Sequence, residues 1–174
     1  MNYEAFYKIS YGLYVICTDD NGKKNGYIGN TAFQVTAEPP QIAVSCSKDN
    51  FTTEMIQNSG FFSVSVLDVS AGPKVIGKFG YMSGSKVDKF ENIEYKIGKT
   101  GIPIVTEFAT AYFECKVTQQ VDMGSHILMI GEVVDSELLE SENDPMTYAY
   151  YRNVKRGVAP KNAPTHIDKS KLGK

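Results

Sequence analysis

One stretch near the start of the chain decides the fold, and its residues 26–53 read GYIGNTAFQVTAEPPQIAVSCSKDNFTT. The first part is strand-like and ends on Val35-Thr36. Pro39-Pro40 cannot donate to a strand ladder, which predicts an extended crossover. Gln41 to Cys46 alternates polar and apolar residues, the pattern of a half-buried strand. With a helix expected from Asn50 or Phe51, both strands end beside one helix N-terminus.

The residues around this helix start carry donors that suit a phosphate group. They are Ser45, Cys46, Ser47, Lys48, Asn50, Thr52 and Thr53. The N–H groups and the dipole of a helix N-terminus favour an anion at the same point. Lys48 is predicted to neutralise the phosphate charge. The sequence leaves open whether the Cys46 thiol contacts the ligand.

The residues just before the first strand end suit a flat heterocycle. Asn30, Thr31, Ala32 and Gln34 are small residues or carry hydroxyl or amide groups, so a ring can approach the backbone and form hydrogen bonds. Together with the phosphate donors, they predict a phosphorylated planar ligand. A polar strand–loop–helix joint without a ligand is the alternative that these residues alone leave open.

Ordered matches along the chain indicate a family. They are residues 4–14 (EAFYKISYGLY), 30–36 (NTAFQVT), 40–44 (PQIAV), 48–50 (KDN), 63–67 (SVSVL), 76–80 (IGKFG), 98–103 (GKTGIP), 124–126 (GSH) and 131–134 (GEVV). In these residues the chain resembles the flavin-reductase-like family, whose fold is the FMN-binding split barrel. Within that family it is most similar to the archaeal ferric reductase and flavoredoxin group.

The resemblance implies a cofactor and assigns residues to it. It implies bound FMN, with Asn30, Thr31 and Ala32 at the flavin and Gln34 and Val35 nearby. His126 would lie near the flavin and the nicotinamide of NAD(P)H, although a lone histidine in a β segment is more often inert. The loop with Phe79, Gly80 and Tyr81 is predicted to line the same region. The resemblance also implies a homodimer.

The pattern along the chain predicts a mainly β fold. About seven strands with two or three short helices favour a closed antiparallel barrel, because closure removes exposed edges. The resemblance implies the same split barrel. Residues 1–174 are expected to form a single domain. From Asp144 the pattern is lost, and residues 144–174 are predicted to be an extended tail over the barrel or a partner.

Composition excludes several classes of partner and site. A net charge of −2 gives no electrostatic footprint for nucleic acid or an anionic membrane. With no apolar run of about 18 residues and no signal peptide, a cytoplasmic protein is expected. Three isolated cysteines without a CxxC pair argue against a disulfide framework or a metal site.

The predicted function is that of an NAD(P)H-dependent flavin or ferric reductase. Hydride transfer needs little acid–base help, so no catalytic side chain is assigned. With no GxGxxG or Walker pattern, NAD(P)H is expected to bind at the flavin. The acceptor could be a ferric complex, free flavin, a redox protein such as rubredoxin, or oxygen, and the sequence does not choose NADH over NADPH. A flavoredoxin-like electron carrier is the main alternative, and a flavin-storage module is the third.

Overall fold

The computed structural model describes residues 1–139 and 141–172 and consists mainly of β-strands. The strands are Tyr14–Asp20 (β1), Lys23–Gly29 (β2), Ala32–Ala37 (β3), Pro40–Ser47 (β4), Phe61–Leu67 (β5), Tyr95–Ile97 (β6), Pro103–Val105 (β7), Ala109–Asp122 (β8) and His126–Leu138 (β9). The α-helices are Phe51–Ser59 (α1), Pro73–Tyr81 (α2) and Tyr148–Asn153 (α3), and 3₁₀ helices cover Tyr3–Lys8 and Lys169–Lys171. No helix of the described residues is long and apolar enough to span a membrane. The single domain predicted over 1–174 includes residues 140, 173 and 174, which lie outside the described residues.

Seven strands form one antiparallel sheet in the order β2-β1-β5-β8-β9-β4-β3, while β6 and β7 pair separately. This confirms the prediction of a mainly β, antiparallel fold with few helices. Within residues 1–139 and 141–172, the outer strands β2 and β3 are not hydrogen-bonded to each other. The ladder is therefore open at this point, and Asn30 and Thr31 connect its two outer strands.

Two tight turns flank this connection. Asn21 and Gly22 have φ angles of 54° and 85°, which suit a two-residue hairpin between β1 and β2, the turn that an Asn-Gly pair favours. The prediction of an extended crossover at Pro39-Pro40 is wrong, because Ala37 pairs with Pro40 in a tight β3–β4 hairpin. Pro40 is the first residue of its strand, a position that proline tolerates.

Two groups of buried residues hold the helices on the sheet. Ile56 of α1 packs in the first group with Ile16, Phe62 and Met129 from the sheet. In the second group, Val75 and Phe79 of α2 and Tyr151 of α3 pack with Leu13 and Met146. A cleft opens at the margin of this second group.

The described residues 144–172 are only partly extended. Residues 148–153 form α3, so the prediction of an extended chain from Asp144 is wrong there. The Thr147 hydroxyl accepts a hydrogen bond from the Tyr150 N–H at 3.1 Å and caps the helix, while Tyr148 and Tyr151 are buried. A six-residue helix is too short to leave a periodic pattern in the sequence.

Candidate functional site

The connection between β2 and β3 lies next to the end of β4. The Thr31 carbonyl accepts a hydrogen bond from the Ser45 N–H at 3.1 Å, which ties the two segments together. Asn30 is only 6% exposed. Its side-chain Oδ1 accepts from the Thr31 hydroxyl at 3.2 Å, and its Nδ2 donates to the Thr165 hydroxyl oxygen at 2.5 Å. The strand break therefore places one amide side chain at a fixed position beside β4.

The start of α1 is built by local hydrogen bonds. The Asn50 side chain caps the helix by accepting from the Thr52 N–H at 3.1 Å. The buried Thr53 hydroxyl donates to the Ser47 carbonyl at 2.6 Å, and the Ser47 hydroxyl accepts from the Asp49 N–H at 3.3 Å. These bonds hold the loop that joins β4 to α1 in one shape.

A cleft of about 340 Å³ opens between this loop and the helices α2 and α3, and we call it the main cleft. Its polar side includes Asn30, Ser45, Ser47 and Asn50. Its other walls are largely apolar or aromatic and include Ile28, Ile76, Phe79, Gly80, Tyr81, Tyr148 and Tyr151. A pocket with apolar walls and a few convergent polar groups is the usual form of a small-molecule site.

A more open recess of about 510 Å³, the side recess, adjoins the main cleft and shares Ser45, Ser47 and Asp49 with it. It is lined by His126, which pairs with Ser47 in the β4–β9 ladder. His126 Nε2 lies 3.2 Å from the Asn162 carbonyl oxygen, which can only accept, so this nitrogen carries the proton. Nδ1 is then free to accept from the Ser125 hydroxyl, whose oxygen is 2.8 Å away. The contact with Asn162 therefore places an N–H group on Nε2.

The chain after α3 crosses both openings. Residues 158–160 line the main cleft, and residues 162–164 line both the cleft and the side recess. The Val158 carbonyl accepts from the Tyr81 hydroxyl at 2.8 Å, and the contacts of Asn162 with His126 and of Thr165 with Asn30 follow along the segment. A ligand that hydrogen-bonds to His126 Nε2 must therefore take the place of the Asn162 carbonyl.

The structure gathers part of the predicted flavin site around the two openings. Asn30 and Asn50 line the main cleft, Thr31 lines the side recess, and Ser45 and Ser47 line both. Phe79, Gly80 and Tyr81 line the main cleft on the side opposite these polar groups, whereas His126 lines the side recess. The role of each residue in binding stays a prediction.

Other predicted residues lie away from the two openings. Thr52 and Thr53 belong to α1 and are buried, and Ala32 is half-buried at the start of β3. Gln34 and Val35 lie on the exposed β3, where the Gln34 side chain donates to the Thr36 carbonyl. Lys48 is exposed, and its ammonium group pairs with the Asp122 carboxylate at 2.7 Å. Their part in binding also stays a prediction.

Cys46 is fully buried, and its thiol lies 3.1 Å from the Tyr27 hydroxyl. Burial raises the pKa of this thiol to about 12, so it is uncharged at neutral pH. The sequence left open whether Cys46 touches the ligand. In this structure its side chain packs inside the sheet and does not line either opening.

Sequence reasoning missed three contributors to the main cleft: Lys89, the pair Tyr148 and Tyr151, and the segment 158–164. Lys89 lies near a second lysine, Lys86, in the sequence, and nothing local to it indicates that its side chain is buried. The aromatic run around residues 146–151 was visible in the sequence, but nothing in it indicated which tyrosines turn inward. The contacts of segment 158–164 are made with residues far away in the chain and leave no local pattern.

Comparison with known proteins agrees with this architecture. A family model described as a flavin reductase like domain matches residues 6–159. The chain is 46% identical to the ferric-chelate reductase (NAD(P)H) of Archaeoglobus fulgidus, over 97% of this chain and 99% of that protein. It is 44% identical to the high molecular weight rubredoxin of Moorella thermoacetica, over 95% of this chain and 72% of that protein.

The fold is also similar to that of a solved structure. The structure of flavoredoxin from Methanosarcina acetivorans superimposes with a TM-score of 0.69 at 26% identity, covering 75% of this chain and 70% of that one. The family model covers most of the chain, and two relatives exceed 40% identity over nearly all of it. The protein therefore belongs to the flavin reductase-like family.

Proposed function

We propose that this protein is an FMN-containing oxidoreductase that passes electrons from NAD(P)H through bound FMN to an acceptor such as a ferric complex or free flavin. The observation that carries this proposal is the main cleft, where the β2–β3 break, the start of α1 and the aromatic walls of α2 and α3 meet. Similarity to a ferric-chelate reductase along 97% of the chain supports the reaction type.

The residues of the main cleft suit a flavin. Tyr81 and Tyr151 provide aromatic surface for the ring system, and Asn30 provides an amide at the polar side. Ser47 and Asn50, beside the N-terminus of α1, provide polar groups for the ribityl chain and phosphate. When bound, FMN supplies the capacity to accept a hydride and to release electrons. The protein's own task is to bind the flavin, orient it and limit access of water.

The side recess suits the nicotinamide part of NAD(P)H. It is continuous with the main cleft through Ser45, Ser47 and Asp49, so a ring held there lies next to a flavin. Hydride transfer requires the two reacting atoms at about 3–3.5 Å, and holding them there is most of the catalysis. His126 has an Nε2–H group, which can donate to the nicotinamide amide once the Asn162 carbonyl moves away.

The first test of the proposal is the identity of the flavin. We expect the purified protein to be yellow and to hold one non-covalent FMN per chain, because the start of α1 offers one phosphate-binding position beside the cleft. Acid release followed by chromatography identifies the flavin, and anaerobic stopped-flow with NADH and NADPH tests its reduction. Recovery of FAD alone, or no flavin after reconstitution, would contradict the assignment.

An electron carrier that is reduced by another protein is the second candidate function. Similarity to a flavoredoxin and to a high molecular weight rubredoxin favours it, since both names describe redox proteins. The same stopped-flow experiment separates the two candidates. In a reductase, at least one of the two nucleotides bleaches the bound flavin within the turnover time. In a carrier, neither nucleotide bleaches the flavin, which is reduced only through a partner protein.

We also propose that the sheet curves into a split barrel and that two chains associate. The Tyr27 hydroxyl of β2 lies 3.1 Å from the Cys46 thiol of β4, so strands from the two ends of the sheet approach each other. Phe33 and Val35 on β3 and Val121 and Met123 at the end of the β8–β9 hairpin are exposed apolar residues that a second copy could cover.

The proposed dimer can be tested by measuring the molar mass of the protein in solution. Light scattering coupled to size-exclusion chromatography should give twice the mass of one chain. The double variant Phe33→Glu/Val35→Glu should give the mass of one chain, because a charge at a buried interface is costly. A wild-type protein that runs as a monomer at micromolar concentration would contradict the dimer and leave the flavin proposal untouched.

A further inference from the structure

Lys89 is a buried lysine that lines the main cleft. Its residue is only 4% exposed, which is rare for lysine because its charge favours water. The ammonium group donates to the Gly26 carbonyl at 2.8 Å and lies 3.5 Å from the Phe79 carbonyl oxygen. An ammonium group has three N–H donors, so these carbonyls leave it incompletely paired.

The charge of Lys89 has no partner of opposite sign nearby. Among the described residues, no carboxylate lies within the 4.0 Å of an ion pair, and that includes Asp49 of the same cleft. Cys17 is a titratable neighbour of Lys89, but burial raises the pKa of its thiol far above the usual value and keeps it neutral. Burial also lowers the pKa of Lys89 to about 8, so most of the protein still carries the charge at neutral pH.

A purely structural cation does not need this arrangement. A buried charge without a counter-charge costs several kcal/mol, and two carbonyls could be paired by a neutral donor at lower cost. Lys89 lines an open cleft and has an N–H donor left over, which indicates a site that is completed by a ligand.

We propose that Lys89 supplies the positive charge that pairs with an anionic group of the flavin in the main cleft. The anionic group is either the phosphate or the charge that reduction places on the ring. This inference rests on the proposed function, since it needs a flavin in that cleft. It assigns to Lys89 the role that the sequence predicts for Lys48, whose ammonium group is exposed and paired with Asp122.

The test replaces the charge and keeps a donor. Lys89→Gln can still donate to the Gly26 carbonyl, and Lys89→Arg keeps the charge. Lys86→Gln is the matched control, because Lys86 is an exposed lysine in the same loop. Lys48→Ala tests the alternative cation. Each protein is stripped of flavin, its fold is checked by circular dichroism, and the dissociation constants of FMN and riboflavin are measured by fluorescence quenching.

Two results would support the proposal and identify the anionic group. If the phosphate is the partner, Lys89→Gln should weaken FMN binding about 10- to 100-fold and change riboflavin binding less than about threefold. If the reduced ring is the partner, both oxidised flavins should bind nearly normally. The reduced form should then bind about tenfold more weakly, which lowers the two-electron midpoint potential by about 30 mV. Lys89→Arg should restore much of either loss.

The proposal is overturned if Lys89→Gln changes neither the FMN-to-riboflavin ratio nor the potential. It is also overturned if Lys48→Ala shows the loss of FMN affinity and Lys89→Gln does not. If Lys89→Gln fails to fold, the Lys89→Arg variant decides. A folded Arg variant with wild-type FMN affinity supports a charge role. A folded Arg variant that binds FMN no more tightly than riboflavin contradicts it. A wild-type protein that binds no flavin refutes the proposed function itself, which is a different outcome.

Discussion

Replacing His126 with alanine should slow reduction of the bound flavin by NAD(P)H about 10- to 100-fold, with little change in FMN content. The imidazole lines the side recess and not the main cleft, so it can orient the nicotinamide without holding the flavin. Its Nε2–H is placed by the Ser125 hydroxyl on the other side of the ring. Anaerobic stopped-flow at increasing nucleotide concentration measures the limiting rate and its saturation.

Two controls separate a positioning role from a structural one. Dithionite should reduce the flavin of His126→Ala at the wild-type rate, because it needs no nicotinamide site. Lys86→Gln should behave like wild type, since Lys86 is exposed and lines neither the main cleft nor the side recess. A His126→Ala protein that loses FMN but whose remaining holoprotein reacts normally with NAD(P)H would make His126 a structural residue.

The elements with a strong local pattern were predictable from the sequence. The continuous apolar run of residues 61–67 forms β5, and Asn50 caps α1 at the predicted start. Both depend on neighbouring residues only. The predicted extended crossover at Pro39-Pro40 was wrong because a proline pair removes backbone donors but still allows a turn. Here the turn joins the paired strands β3 and β4.

The candidate site was predictable only in its local half. The helix start at Asn50, which lines the main cleft, follows from neighbouring residues. The sequence predicted one strand through Asn30, whereas the structure ends β2 at Gly29 and begins β3 at Ala32. Lys89 was not predictable, because its burial depends on Gly26 and on the end of α2, which packing brings to it. The contact between Asn30 and Thr165 spans 135 residues and has no local signal.

Glu114 is a buried polar residue whose loss should strongly destabilise the fold. Its side chain is completely buried in β8, yet its carboxylate accepts the Lys99 and Thr100 N–H groups, each at 2.9 Å, and the Thr100 hydroxyl. Gly98 packs directly on the carboxylate, where an added Cβ would lie 2.4 Å from Oε1. Glu114 therefore fixes the turn between β6 and β7, and β7 contributes the fully buried Ile104 and Val105.

Glu114→Ala should lower the free energy of unfolding by about 2–4 kcal/mol, because it removes three charge-assisted hydrogen bonds and leaves backbone donors in a partly buried turn. For a chain of this length, the melting temperature should fall by roughly 5–15 °C. Urea unfolding of the flavin-free protein measures the loss.

Glu132→Ala, an exposed position on the adjacent β9, should change stability by less than about 0.5 kcal/mol. Because Glu114 does not line the main cleft, the folded variant should bind FMN like wild type. Equal stability of the two variants would show that water replaces the carboxylate at the turn without cost.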